Sequence, residues 1–258
     1  MPWKPCATMT DAPVVLVTGA AQRIGAAIAM HFHLRGYRVL VHYRASADAA
    51  NTLVSQLNAA RADSAHALCA DLCDAQQVSA LGEAALSQFD RIDVLINNAS
   101  TFYPTPIGTA TPADWDTLID SNLRAAFFLS QALADELRLR QGAIVNLIDT
   151  HADKPLARHA IYSVAKAGLK AMTKSLAQEL APQVRVNGVA PGAILWPAAL
   201  EDDSDPVVKH TRDKILQQIP AGQLGTPEQI AAAVFFLATE AHYMTGATLR
   251  VDGGRHLA

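Results

Sequence analysis

Tyr162 and Lys166 lie four residues apart at the start of a segment, Ala160 to Leu180, whose apolar spacing predicts a long helix. Positions i and i+4 share a helix face, so this spacing sets an ammonium beside a phenol. The positive charge favours the phenolate and is expected to lower the tyrosine pKa from its usual value of about 10. A tyrosine so tuned can act as an acid or base near neutral pH. The same spacing arises often by chance, so the pair gains weight only from its surroundings. Thirteen residues before the tyrosine, Asp149 follows the strand pattern AIVNLI, Ala143 to Ile148. A carboxylic acid there can deliver a proton, and burial at a strand end is expected to push it toward its neutral form.

A second constellation sits near the N-terminus. The apolar run Pro13 to Thr18 is followed by the segment TGAAQRIG, Thr18 to Gly25, and then by a helical pattern. Gly19 permits a tight turn and Gly25 a close helix–strand contact. The N–H groups that open the helix, those of Ile24 and Gly25 among them, face a pyrophosphate in such an arrangement. A glycine pair alone is a weak signal; between a buried strand and a helix it predicts a dinucleotide site. The next strand, YRVLVHY over Tyr37 to Tyr43, ends without an acid, and the first carboxylate is Asp48. A carboxylate at that tip would serve ribose hydroxyls and repel a 2′-phosphate, whereas Arg44 and Ser46 would bind one, which favours NADP over NAD. Arg44 taken singly is equally a solvated surface arginine.

These groups are spaced along alternating strand and helix patterns. Strands are predicted at Pro13–Thr18, Tyr37–Tyr43, Ala65–Ala70, Asp93–Asn97, Ala143–Ile148, Val184–Val189 and Thr248–Val251. Helices are predicted at Gln22–Gly36, Ser46–Arg61, Asp74–Phe89, Thr111–Asn122, Leu123–Arg140, Ala160–Leu180 and Thr226–Thr239, with Gly36 as a C-terminal stop and Ser46 as an N-cap. Continuous apolar strands in this order predict an α/β fold: one doubly wound, Rossmann-type domain over 14–258, with about seven parallel strands and helices on both faces. Residues 1–13 read as a loose extension. Residues 191–225 carry four prolines, an acidic cluster from Glu201 to Asp205 and no clean period. They are expected to be a loop over the site, unless they are a tolerated surface insertion.

Composition narrows the function classes. Half of the 258 residues are hydrophobic and 17% are charged, with a net charge of −3, so neither disorder nor non-specific nucleic-acid binding is indicated. The longest clean apolar run, Ala231 to Ala238, is far short of the ~20 residues of a membrane span. No apolar core of a signal peptide opens the chain. Three cysteines without a CxxC, at 6, 69 and 73, fit a reducing cytoplasm. No paired Cys/His spacing suggests a metal.

TGAAQRIG resembles the TGxxxGxG of the short-chain dehydrogenase/reductase family, with Arg23 in place of the middle glycine. Tyr162 and Lys166 match that family's YxxxK. Asp149 stands where most of the family has serine. Within the family, the chain resembles the pteridine reductase branch, from Val14 to Arg255. The resemblance rests on Arg23, the stretch His42 to Ser46, the stretch NASTFYPTP from Asn98 to Pro106, and Asp149 with Tyr162/Lys166. Pro191–Gly192 and Asp252–Gly254 fit as well. Trypanosomatid members carry an arginine one position before the serine of the second-strand motif; here that position is Ala45 and Arg44 precedes it.

The resemblance implies NADPH as cofactor, held by Gly19, Arg23, Ile24, Gly25, Tyr43, Arg44, Ser46, Asp71, Leu72, Asn98, Ala99, Ser100, Pro191 and Gly192 together with Tyr162 and Lys166. Asn122 matches the family's fourth catalytic position, which holds a water linked to the lysine; a plain helix cap explains it too. Phe102 would stack on a pterin, and Arg23, Ser100, Asp149, Tyr162 and the Trp196 region would complete the substrate pocket. A carboxylic acid that protonates a ring nitrogen while hydride reaches the adjacent carbon implies a C=N substrate: dihydrobiopterin, dihydromonapterin or dihydrofolate. The alternatives are a general carbonyl or 3-oxoacyl thioester reductase, a degenerate site, or a non-catalytic NADP-binding regulator. The family implies a homotetramer packed through Leu123–Arg140 and Ala160–Leu180.

Overall fold

The computed structural model describes residues 12–197, 200, 202 and 204–258. Residues 1–11 of the expected extension, and Glu201 and Asp203 of the acidic cluster, lie outside the described residues. Seven parallel strands form one sheet: β1 (Val14–Val17), β2 (Arg38–Tyr43), β3 (Ala65–Cys69), β4 (Val94–Asn97), β5 (Ala143–Leu147), β6 (Arg185–Pro191) and β7 (Thr248–Val251). Their order is β3-β2-β1-β4-β5-β6-β7. The chain winds one way from β1 to β3 and the other way from β4 to β7. The order reverses between β1 and β4, and in open α/β sheets ligands bind outside the strand C-termini at that point.

Why the strands read as continuous apolar runs follows from their pleat. Val14 and Leu16 of β1 pack into a core on one face, Val15 and Val17 into a second core on the other. The first core is closed by α3 (Ala75–Phe89), α5 (Ala125–Ala132), α6 (Ala134–Arg140) and α7 (Ala160–Leu180), the second by α1 (Arg23–His33), α2 (Ala47–Ala60) and α9 (Pro227–Thr239). Gly36 acts as the expected stop of α1: at φ +91° it donates to His33, and Tyr37 donates back to Phe32. Ser46 sits at the N-cap of α2, but its hydroxyl makes no capping bond.

Two regions differ from the sequence expectation. The segment from 111 to 140 is not two helices. α4 (Pro112–Ile119) passes into a π-helical turn, Asp120–Arg124, before α5 and then α6. The region from 191 to 225 contains a helix, α8 (Pro206–Gln217), where no helix was expected. It opens on Pro206 and is capped by Asp205, whose carboxylate accepts the Val207 N–H at 2.8 Å. α8 buries none of its residues; its half-buried face, Val208, Thr211, Arg212, Ile215 and Leu216, mixes three apolar side chains with two polar ones, a weak stripe in the sequence.

Candidate active site

At the reversal point, the loop after β1 meets the loop after β4. Gly19 takes φ +61°, and a Cβ on it would lie 2.9 Å from the Ala99 Cα. A Cβ on Gly25 would lie 2.2 Å from the Gly19 carbonyl oxygen. Arg23 also has positive φ, +55°, at the position where the resembling family keeps glycine. The left-handed backbone is thus retained with a side chain added, at a cost of roughly 1–2 kcal/mol. The Asn98 amide ties the loops together, donating to the carbonyls of Thr18 (2.8 Å) and Gly19 (3.0 Å). The Thr18 hydroxyl oxygen accepts the N–H groups of Asn98 and Ala99. Gln22, the N-cap of α1, makes no side-chain capping bond, so the first N–H groups of that helix are left for a ligand.

These loops wall a cavity of about 400 Å³. Gly19, Arg23, Ile24, Gly25, Tyr43, Arg44, Ser46, Asp71, Leu72, Asn98, Ala99 and Ser100 all line it. It shares Arg23, Ile24, Asn98 and Ser100 with a second cavity of about 560 Å³, so the two form one cleft along the strand ends. The second part holds Asp149, Tyr162, Lys166, Phe102, Trp196, Pro191 and Gly192. Such a cradle, made of glycines that no Cβ could replace and an uncapped helix start, fits a pyrophosphate-bridged dinucleotide.

The Tyr162 hydroxyl donates to Asp149 Oδ2 at 2.7 Å. The other oxygen, Oδ1, accepts the His151 N–H at 2.8 Å and the Thr150 hydroxyl at 3.3 Å. Asp149 is half-buried rather than buried. Lys166 is fully enclosed and donates to the Leu147 carbonyl at 2.9 Å, with its nitrogen 5.7 Å from the Tyr162 ring centre. The lysine therefore does not dominate the tyrosine as the spacing suggested. Burial, followed by the Asp149 carboxylate, pushes the Tyr162 pKa well above its usual value. Burial also lowers Lys166 to about 8, a shift partly opposed by Asp149. In this state Tyr162 is a held acid.

Asn122 lies in the π-helical turn, which turns its buried amide toward the loop after β4. Nδ2 donates to the carbonyls of Thr101 and Leu118, both at 2.9 Å, and Oδ1 accepts the Ser100 hydroxyl at 2.7 Å. Ser100 also acts to lower the Tyr162 pKa, against the larger effects of burial and Asp149. Phe102 is half-exposed. It stacks on His159 at 4.6 Å and meets Tyr162 edge-on at 4.8 Å. The Trp196 ring lies 4.6 Å from the Arg212 guanidinium of α8.

One contributor escaped the sequence reading, which used His42 only as part of a motif. This buried ring accepts the Gly19 N–H at Nδ1 (3.0 Å) and donates from Nε2 to the Ala70 carbonyl (3.1 Å). Burial lowers its pKa to about 4, so it is neutral and clamps the glycine turn to the end of β3. Among the described residues, no group of three or more His, Cys, Asp or Glu side chains is placed to hold a metal, and no helix is long and apolar enough to cross a membrane.

A doubly wound sheet with a glycine cradle at its reversal point and a Tyr/Lys pair beyond it defines a dinucleotide-dependent oxidoreductase. The chain belongs to the short-chain dehydrogenase/reductase family, whose members use a nicotinamide dinucleotide. A family model described as Enoyl-(Acyl carrier protein) reductase matches residues 19–256. The chain is 36% identical to pteridine reductase 1 of Leishmania tarentolae, over 97% of this chain and 98% of the relative. It is 37% identical to a 3-oxoacyl-acyl-carrier-protein reductase of Staphylococcus aureus, over 94% and 97%. A 3-oxoacyl-acyl-carrier-protein reductase of Synechocystis is 38% identical over 96% and 98%.

Proposed function

We propose that this protein is an NADPH-dependent pteridine reductase, acting on a C=N bond of a dihydropterin such as dihydrobiopterin, dihydromonapterin or dihydrofolate. The observation that carries this reading is the carboxylate of Asp149, 2.7 Å from the Tyr162 hydroxyl in the wall of the larger cavity. Identity does not separate the two kinds of relative, but their chemistry differs. Reduction of a ketone needs a proton on oxygen, which the tyrosine alone can give. Reduction of a ring imine needs one on nitrogen, and a carboxyl group suits that task.

NADPH, when bound, supplies the hydride. The uncapped start of α1 and the Gly19–Gly25 loop would hold its pyrophosphate. Arg44 and the free hydroxyl of Ser46 would hold its 2′-phosphate, and Asp71 and Leu72 its adenosine side. Pro191, Gly192 and Lys166 would place its nicotinamide ribose. Tyr162 is protonated at rest. Its proton passes along the hydrogen bond to Asp149, and from there to the ring nitrogen of the substrate. Asn122 holds the Ser100 hydroxyl, and through it the loop after β4, in the wall of the same cleft. Phe102 offers an aromatic face to a flat heterocycle, and Arg23 and Trp196 bound the same space.

A 3-oxoacyl thioester reductase is the second reading, supported by the comparable identity to enzymes so named. It expects a hydroxyl at position 149. The exposed Phe127, Phe128 and Val164, on α5 and α7, support assembly into the expected homotetramer. The free thiols Cys69 and Cys73 fit a cytoplasmic location. The test is a spectrophotometric screen of NADPH oxidation with dihydrobiopterin, dihydromonapterin, dihydrofolate and an acetoacetyl thioester. Turnover of a dihydropterin and not of the thioester supports the proposal; the opposite pattern establishes the second reading.

A further inference from the structure

The larger cavity has an annex. It shares five wall residues, His151, Gln218 and Arg255 among them, with a hollow of about 100 Å³ that Lys154, Pro155 and His256 complete. Its wall carries the ammonium of Lys154, the guanidinium of Arg255 and the imidazoles of His151 and His256. Most are already occupied. The Lys154 ammonium is held by the Ala258 carbonyl, the His256 ring by Asp252 at 2.7 Å, and His151 Nδ1 by the Lys154 carbonyl at 3.0 Å. The carboxylates nearby are spent as well: Asp153 on Lys170 and Arg250, Asp149 on Tyr162. The Arg255 guanidinium, by contrast, makes no hydrogen bond or ion pair among the described residues, although it borders both hollows.

A guanidinium is a rigid fork of donors matched to a planar carboxylate or a phosphate, and it is not neutralised by proton loss. We infer that Arg255 is the anchor of an anion subsite, and that the physiological substrate carries an anionic tail. A substrate ring placed at Asp149 would run its tail past Leu156, which lines both hollows, to this cation. The inference rests on the pteridine reading and narrows it, from any dihydropterin to one bearing a carboxylate or phosphate.

The test compares kcat/KM for dihydrofolate (carboxylates), dihydroneopterin monophosphate (phosphate) and dihydrobiopterin (uncharged tail) in wild type, Arg255→Met and Arg255→Lys. The expected result is a preference for one anionic substrate over dihydrobiopterin that falls about tenfold in Arg255→Met and recovers in part in Arg255→Lys. Which anion shows the effect identifies carboxylate or phosphate. Raising the salt concentration should erode the same preference in the wild type. This second measurement decides the matter if Arg255→Met fails to fold. A preference unchanged within twofold in Arg255→Met, or insensitive to salt, overturns the inference. If the wild type turns over no pterin, the pteridine reading falls instead. Binding of p-aminobenzoylglutamate to wild type and Arg255→Met then still decides the subsite: equal binding overturns it, weaker binding by the variant supports it.

Discussion

Replacing Asp149 with serine restores the hydroxyl that most of the family has, and it removes the carboxylate on which the pteridine reading rests. Its carboxylate receives the Tyr162 hydroxyl at 2.7 Å, so the substitution breaks the link between the phenol and the substrate ring. A positioned proton donor contributes roughly 10²–10⁴-fold to a rate. At about 1.4 kcal/mol per tenfold, that is about 3–5 kcal/mol of transition-state stabilisation. Asp149→Ser should therefore lower kcat for a dihydropterin by at least about 100-fold. The dinucleotide cradle is made by the loops after β1 and β4, so the Kd for NADPH should stay within about threefold. The charge also raises the Tyr162 pKa and supports the Lys166 ammonium, so its removal should lower both. The alkaline limb of any residual activity should move to lower pH. Stopped-flow NADPH oxidation across pH 5.5–9.5, with NADPH binding followed by fluorescence, measures all three effects. Full pterin turnover by the serine variant would refute the assignment of Asp149 as proton donor.

His42→Leu should raise the KM for NADPH about tenfold, because the Gly19 N–H loses its acceptor; steady-state kinetics checks this. The unfolded chain protonates His42 near 6.5 and the folded chain near 4, so the unfolded state binds more protons between those values. Stability should then fall by about 3 kcal/mol as pH drops from 6.5 to 4, and urea unfolding should show a weaker fall in the variant. Lys166 has the same sign of shift at higher pH: from about 8 to 10.5 the unfolded chain holds the extra proton, so stability rises with pH across that window. Below it, burial of the ammonium costs about 3 kcal/mol, and Lys166→Met should unfold at a urea concentration at least equal to wild type at pH 7 while losing turnover. Gly25→Ala should abolish NADPH binding, since the new methyl meets the Gly19 carbonyl oxygen at 2.2 Å; calorimetric titration decides it.

The architecture was legible because the sheet is covered on both faces. A strand such as β1 is then an unbroken apolar run, β5 is broken only by Asn146, and α7, with a buried stripe from Ile161 to Leu180, has the bounds its sequence pattern predicts. α8 was not, because no residue of it is fully buried and its half-buried face interrupts Val208, Ile215 and Leu216 with Thr211 and Arg212; Asp205–Pro206, a cap followed by proline, is its clearest mark. The π-helical turn around Asn122 has no signature in periodicity, since it inserts one residue into a pattern that continues on both sides. In the site, spacing identified Tyr162, Lys166 and Asp149, but not the sign of the tyrosine's shift. That depends on which partner the hydroxyl meets, and the partner is the aspartate thirteen residues away rather than the lysine four residues away. His42 was hidden for a similar reason: its two bonds reach 23 and 28 residues along the chain, and nothing local marks them.

The most direct measurement is the position of the Asp149 carboxylate against a bound ring, in a crystal grown with NADP and soaked with methotrexate. The account predicts a carboxylate oxygen about 3 Å from a ring nitrogen, with Phe102 against the ring face. An Asp149 side chain turned to solvent, with the ring nitrogens bonded elsewhere, would contradict it.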